Sequence, residues 1–340
     1  MPQVSPTGHE YVSSNQPSYI RLYETGELVE RARLLRSRLA ACDICPRACG
    51  VDRLHDKVGF CRSPLRPLIA SACVHRGEEP PVSGSRGSGT IFFANCNLRC
   101  VFCQNYQISQ RPDAFAGQPG SVDELAGMML RLQDEDRCHN INLVSPTHYA
   151  PQIVEALCLA VPRGLRLPLV YNTNAYDSIE TLRLLDGIVD VYLPDIKYSS
   201  PRVAKQLSGA VDYVEVARAA IAEMCRQVGT ELTLDDEGVV TRGVIVRHLV
   251  LPGGLAGSEE SLKWLSASVS NDVTLSLMSQ YYPAHHALAM PLLSRRVNSR
   301  EYGNVVRVAQ SLGFAHVWTQ ETAAPVHYRP DFSRDGHPFE

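Results

Sequence analysis

Six short apolar runs, separated by stretches with helical spacing, constrain this chain more than any other feature. They lie at 90–94, 141–145, 168–172, 189–193, 243–251 and 273–278. The runs are continuous rather than alternating and rich in Val, Ile, Leu and Phe, as expected of strands buried on both faces of a parallel sheet. Start signals precede several intervening helices. Ser121 with Glu124, Asp177 with Glu180, and Asp212 with Glu215 each match a capping box, in which a polar side chain satisfies first-turn amides. Pro151 suits a first helical position, and a last helix is predicted over about 299–312, closed by Gly313. Repeated strand–helix alternation predicts a parallel α/β fold with right-handed crossovers. An open doubly wound sheet and a partial barrel both satisfy the periodicity. In either, the functional site belongs at the C-terminal ends of the strands.

Upstream of the runs the pattern changes. Residues 1–20, rich in Pro, Ser, Asn and Gln, predict a loose arm, and 21–40 predict one surface helix, so 1–40 form the first segment. Residues 41–89 are a cysteine-rich segment whose second part, 62–89, reads as a loop-rich connector because of Pro64, Pro67, Pro80, Pro81 and four glycines between 77 and 89. The runs and their helices occupy 90–320, followed by a tail at 321–340. With 33 basic against 36 acidic residues and a net charge of -3, the chain has no electrostatic footprint for nucleic acid. No apolar run is long enough to span a bilayer, and the first residues lack a secretory signal, so the expectation is a soluble, cytoplasmic protein with no membrane partner.

Eleven cysteines are unusual in such a protein, and in a reducing compartment they point to metal or redox chemistry rather than disulfides. Seven fall in two groups within 42–103. The others, Cys73, Cys138, Cys158 and Cys225, are isolated and read as small buried hydrophobes. The second group, Cys96, Cys100 and Cys103, follows the first run with x3 and x2 spacing. Three thiolates on one loop reach three corners of a cubane [4Fe–4S] cluster and leave the fourth iron open, and an open metal position signals chemistry. A zinc site completed by a histidine, or a disulfide-forming group, are the alternatives for these three residues.

The Cys-x3-Cys-x2-Cys motif, with Phe102 before its last cysteine and Gln104 and Asn105 after it, resembles the radical S-adenosylmethionine (SAM) superfamily. The later segments resemble its pyruvate formate-lyase-activating-enzyme-like branch, and within it the uncharacterised PflX-like group. The resemblance runs from about residue 41 to the C-terminus. It implies a partial (β/α)6 radical SAM barrel with an N-terminal cysteine-rich extension. It also implies an oxidoreductase in which a reduced [4Fe–4S] cluster cleaves SAM to a 5′-deoxyadenosyl radical for hydrogen abstraction. The electron donor implied is a flavodoxin or ferredoxin. Asn172, Thr173 and Asn174 occupy the family's Asp-Thr-Asn position, and Asp195 and Lys197 stand in its Leu-Asp-Leu-Lys stretch, where SAM and a monovalent cation are contacted. Oxygen-rich side chains suit a hard cation and Lys197 suits a carboxylate, though Asp195 and Lys197 could equally pair with each other. Arg247 rather than His248 should point inward, because adjacent strand residues face opposite sides. His285 is chosen over His286 as a SAM contact, and Phe102 and Asn105 complete the set. The usual Gly-Gly-Glu is replaced by Ser145, Pro146, Thr147 and His148, so Thr147 is the candidate acceptor for the SAM amino group.

Cys42, Cys45, Cys49 and Cys61 form a complete four-thiolate complement, suited to a second cluster or to zinc. His75, Glu78 and Glu79 either reach the barrel mouth or lie in a solvated loop. No residue is singled out as a catalytic acid or base. Two other whole-protein readings stand beside a radical SAM enzyme: a non-catalytic iron–sulfur electron carrier and a zinc-stabilised binding protein. Within the enzyme reading, a protein substrate, as in glycyl-radical activation, is set against a small molecule.

Overall fold

The computed structural model describes residues 16–110, 118–320, 330–333 and 337–339. Its strands are β1 (Leu68–His75), β2 (Ser88–Phe93), β3 (Gln118–Pro119), β4 (Ile141–Val144), β5 (Leu169–Thr173), β6 (Val191–Pro194), β7 (Thr233–Leu234), β8 (Val240–Leu249), β9 (Thr274–Met278) and β10 (Val317–Thr319). They form one sheet in the order β10-β9-β8-β6-β5-β4-β2-β1-β3, with β7 beside β8. The pairings β2-β4-β5-β6-β8-β9-β10 are parallel and follow chain order; β1, β3 and β7 join antiparallel. A spatial order that never reverses is that of a singly wound barrel rather than a doubly wound sheet. Among the described residues β10 does not pair with β1 or β3, so the barrel is partial.

The buried strands carry the six apolar runs. Every residue of β2, β6 and β9 is buried, as both faces of a parallel sheet must be. Outside the sheet, helix Val122–Asp134 packs on helix Ala150–Ala160, which packs on helix Glu27–Ser37. Ser121 accepts from the Glu124 amide at 3.1 Å and the Glu124 carboxylate accepts from the Ser121 amide, closing the predicted capping box. Asn298 and Glu301 close another at helix Ser299–Ser311.

Four expectations fail for identifiable reasons. Residues 62–89 are not merely a connector: Leu68–His75 is a strand, hidden by its Ala, Ser and Cys content and its flanking prolines, and it pairs with β2. Residues 21–40 do not make one helix. Gly26, at φ 79°, breaks the chain into Ser18–Glu24 and Glu27–Ser37, and Ser18–Glu24 displaces the end of the expected arm, with Tyr19 fully buried. The rest of the arm, 1–15, and much of the tail lie outside the described residues. Asp177 does not cap the next helix, which starts from Ser178; it is buried and accepts three hydroxyls. Asp212 stands at the helix start, but its carboxylate accepts from Tyr176 OH at 2.8 Å instead of capping. No helix among the described residues is long and apolar enough to cross a membrane.

Candidate active site

At the C-terminal ends of the parallel strands lies a cleft enclosing about 1200 Å³, part of it open to solvent. The three-cysteine loop forms one wall. Asn95 leaves β2 at φ 73°, a left-handed conformation that Asn tolerates better than most residues. Its amide donates to Ile108 O at 2.8 Å, which folds the loop back on itself. The amides of Arg99 and Val101 donate to Ser208 O and Leu207 O, fixing the loop to helix Pro201–Ser208. Cys96, Cys100 and Cys103 all line the cleft, and among the described residues no fourth cysteine does.

The surroundings of these sulfurs suit thiolate ligands. Cys96 Sγ accepts from the Leu98 amide and from Asn174 Nδ2, each at 3.4 Å, and Cys100 Sγ accepts from Ser208 Oγ at 2.9 Å. Ser109 Oγ lies 3.3 Å from Cys103 Sγ. Burial pushes the Cys96 thiol up to about 11 and Cys103 up to about 12, and Cys100 rises for the same reason. Without metal these groups keep their protons; iron must displace them, and the N–H and O–H donors then stabilise the charge. Among the described residues no three His, Cys, Asp or Glu side chains stand at single-ion spacing. A cubane, whose irons sit at separate corners, does not require that convergence. The donor set therefore fits a cluster with one open iron.

Opposite the loop, the strand ends supply a polar wall. Asn172, Asn174, Asp195, Lys197 and Arg247 all line the cleft, as do Phe102 and Asn105. Lys197 is ion-paired with Asp195. Burial alone would lower the Lys197 pKa, but the Asp195 carboxylate overrides it and keeps the ammonium charged. Arg247 donates through Nε and Nη2 to Glu79 at 2.8 Å each, and through Nη2 to Glu78. Glu78 Oε1 also accepts from Asn142 at 2.9 Å. His248 turns the other way, between Ile196 O and Ser258 Oγ. Phe102 packs edge-on to Tyr281, ring centroids 5.9 Å apart, behind the cluster loop.

Three sequence candidates do not line the cleft. Thr173 is buried behind the wall and donates to Asp177 at 2.6 Å, and Thr147 donates to the same carboxylate at 2.8 Å. Thr147 thus holds Asp177 rather than presenting an acceptor to the cleft. His285 adopts φ 54° and stacks on Tyr106, centroids 5.1 Å apart, outside the cleft lining. Several residues that do line the cleft were not singled out: Gln104 and Gln280, whose backbone oxygen accepts from Gln104 at 3.2 Å, and Phe339, which stacks on His75 at 4.1 Å. Glu78, left open by the sequence, forms part of the floor.

A family model, that of the radical SAM superfamily, matches residues 90–245. A curated relative, Uncharacterized protein MJ0674 of Methanocaldococcus jannaschii, is 30% identical over 276 residues, which is 79% of this chain and 74% of the relative. Solved structures similar to the chain include HydG, a maturase of the [FeFe]-hydrogenase, at TM-score 0.44 and 8% identity, covering 66% of this chain. The chain spans about half of that protein, 49%. A radical SAM methyltransferase from Sphaerobacter thermophilus is similar at TM-score 0.46 and 12% identity, covering 88% of this chain and 91% of that one. HydG from Carboxydothermus hydrogenoformans is similar at TM-score 0.45 and 12% identity, covering 98% and 76%.

Proposed function

The chain belongs to the radical SAM superfamily, and we propose that it generates its radical in this cleft and directs it at a protein, in the manner of a glycyl-radical activase. Cys96, Cys100 and Cys103 would hold a [4Fe–4S] cluster, which would supply the electron for reductive cleavage of SAM and so the oxidant for hydrogen abstraction. The protein's own residues bind, orient and shield. Lys197, held in place by Asp195, offers an ammonium to the methionyl carboxylate. Asn172 and the second oxygen of Asp195 are hard donors suited to a monovalent cation beside it. Arg247 is pinned by Glu78 and Glu79, so its guanidinium is oriented before any ligand arrives. Leu98 N, Asn174 and Ser208 donate to ligand sulfurs and so help set the potential at which an electron is accepted from a flavodoxin- or ferredoxin-type donor.

The observation that carries this reading is three thiols, with no fourth among the described residues, sharing one cleft with the Asp195–Lys197 pair. A protein substrate is the reading favoured by a sheet that, among the described residues, is left unclosed between β10 and β3. The test is anaerobic reconstitution with iron, sulfide, SAM and a reductant, followed by assay of 5′-deoxyadenosine. The unsubstituted chain should form it and Cys103→Ala should not. A reconstituted protein that binds SAM but never cleaves it would sink the proposal. A glycyl radical appearing on a co-incubated protein supports the activase assignment; turnover of a small molecule alone rejects it.

A further inference from the structure

A second pocket adjoins the three-cysteine loop. It is lined by Cys42, Cys45, Cys49 and Cys61 together with Arg47, Arg53 and His148, and encloses about 340 Å³ including its open side. Arg47 Nε donates to Asn97 O at 3.0 Å, and His148 Nε2 donates to Ala94 O at 2.9 Å, so two of its walls are tied to the ends of that loop.

The charges in this pocket do not balance. Arg53 is 1% exposed, and its guanidinium donates only to neutral carbonyls, His148 O at 2.8 Å and Pro64 O at 3.0 Å, with Cys42 Sγ at 3.9 Å. Its Nε has no acceptor, and Arg47 Nη2, also buried, has none. Among the described residues neither arginine pairs with a carboxylate. A guanidinium cannot shed its proton to escape burial, so a buried one requires an anion. Four protonated thiols would leave the Arg53 charge uncompensated. Four thiolates on an oxidised [4Fe–4S] cluster would not, because such a site keeps a net negative charge.

We propose that Cys42, Cys45, Cys49 and Cys61 hold a [4Fe–4S] cluster as an anionic tetrathiolate, whose separate irons do not need single-ion convergence, with buried Arg53 and half-buried Arg47 as its counter-charge. The spacing of the cysteines supplies the ligands; the unpaired arginines supply the reason that the ligands are charged. The local packing agrees. The Phe60 amide donates to Cys49 Sγ at 3.4 Å, and a Cβ at Gly59 would stand 2.8 Å from that sulfur, so only glycine lets the backbone approach. This centre is independent of SAM cleavage and stands whether or not that reading does.

The test starts from the variant Cys96→Ala/Cys100→Ala/Cys103→Ala, purified anaerobically, which removes the other cysteine loop. It should retain about four irons with acid-labile sulfide per chain. Adding Cys45→Ala should abolish that retention. In the unsubstituted chain the same centre should be the metal fraction whose spectrum SAM leaves unchanged. Arg53→Met should lose the metal while Arg53→Lys keeps most of it. The proposal is overturned if the triple variant holds no iron–sulfur cluster, if Cys45→Ala retains it, or if Arg53→Met holds it as the parent does.

Discussion

Replacing Arg247 with Met tests whether the cleft floor is an ion-pair network or ordinary packing. The side chains of Arg247, Glu78 and Glu79 are 13%, 7% and 6% exposed, so this is the buried regime, where removing one partner strands the others' charge. Breaking such a pair costs about 3–5 kcal/mol, far above the ~0–1 kcal/mol of a surface pair. The pH dependence should also reverse. In the unsubstituted protein burial pushes the Glu79 carboxyl up, but Arg247 and hydrogen bonds hold it below its ordinary value. Its contribution is therefore present above the unfolded carboxylate pKa and is lost as pH falls through the lowered folded value. Without Arg247 burial is opposed only by the hydrogen bonds from Ser276 and the backbone, and the folded pKa rises. The variant's carboxylate then contributes below the unfolded value and loses that contribution as pH rises. Arg247→Met should consequently show a larger deficit at a pH of about 8 than at about 5. Urea denaturation of the anaerobic protein at both pH values reads this, and Glu79→Gln on the same background should recover part of the loss. A deficit under about 1 kcal/mol, or one that does not change with pH, would refute the buried-network argument.

Lys197→Met should weaken SAM binding to the reconstituted protein by about ten- to a hundredfold, the worth of a charged hydrogen bond, measured by equilibrium dialysis; unchanged affinity would remove Lys197 from the site. Asp190 is buried and accepts from the amides of Ser18 and Leu169, and burial lifts its carboxyl from 3.8 to about 6. A raised folded pKa contributes stability that is full below 3.8 and lost as pH rises through about 6, so Asp190→Asn should flatten the denaturation midpoint across that window. Gly257→Ala should lower the thermal midpoint, because φ is +63° and the new Cβ would lie 1.8 Å from Ser199 Oγ; adding Ser199→Ala should relieve the clash but not the backbone strain.

The parallel sheet and the three-cysteine loop were legible because both signals are local. A continuous apolar run reports its own burial, and thiolate chemistry depends on residue type and spacing over eight positions. The floor was not legible for the opposite reason. Glu78 and Glu79 sit in a segment punctuated by Pro and Gly, and the residue that gives them a role, Arg247, lies 169 and 168 positions away. Nothing in the local pattern distinguishes them from a solvated loop. His285 lies off the cleft lining at a left-handed φ of 54°, a turn that histidine gives no composition cue for.

The orientation of Thr173, away from the cleft lining, is different, because the rule that gives it was in the sequence. Side chains on a strand alternate between faces, a rule that separated Arg247 from His248 but applies equally to Asn172, Thr173 and Asn174. The structure shows the alternation at three strand ends. Asn172 and Asn174 line the cleft while Thr173 backs onto Asp177; Asp195 and Lys197 line it while Ile196 is buried; Arg247 and Leu249 line it while His248 bonds to Ser258. Each strand thus sends alternate residues to the reaction space and uses the one between to anchor the wall. Thr173 consequently acts through Asp177, with Thr147 and Tyr171, to fix β4 against β5 rather than to touch a ligand. Thr173→Val should then cost about 1–3 kcal/mol of stability by leaving the buried carboxylate short of a donor, with SAM affinity unchanged. Urea denaturation and equilibrium dialysis on the same preparation separate the two effects, and a loss of SAM affinity at full stability would put Thr173 back among the ligand contacts.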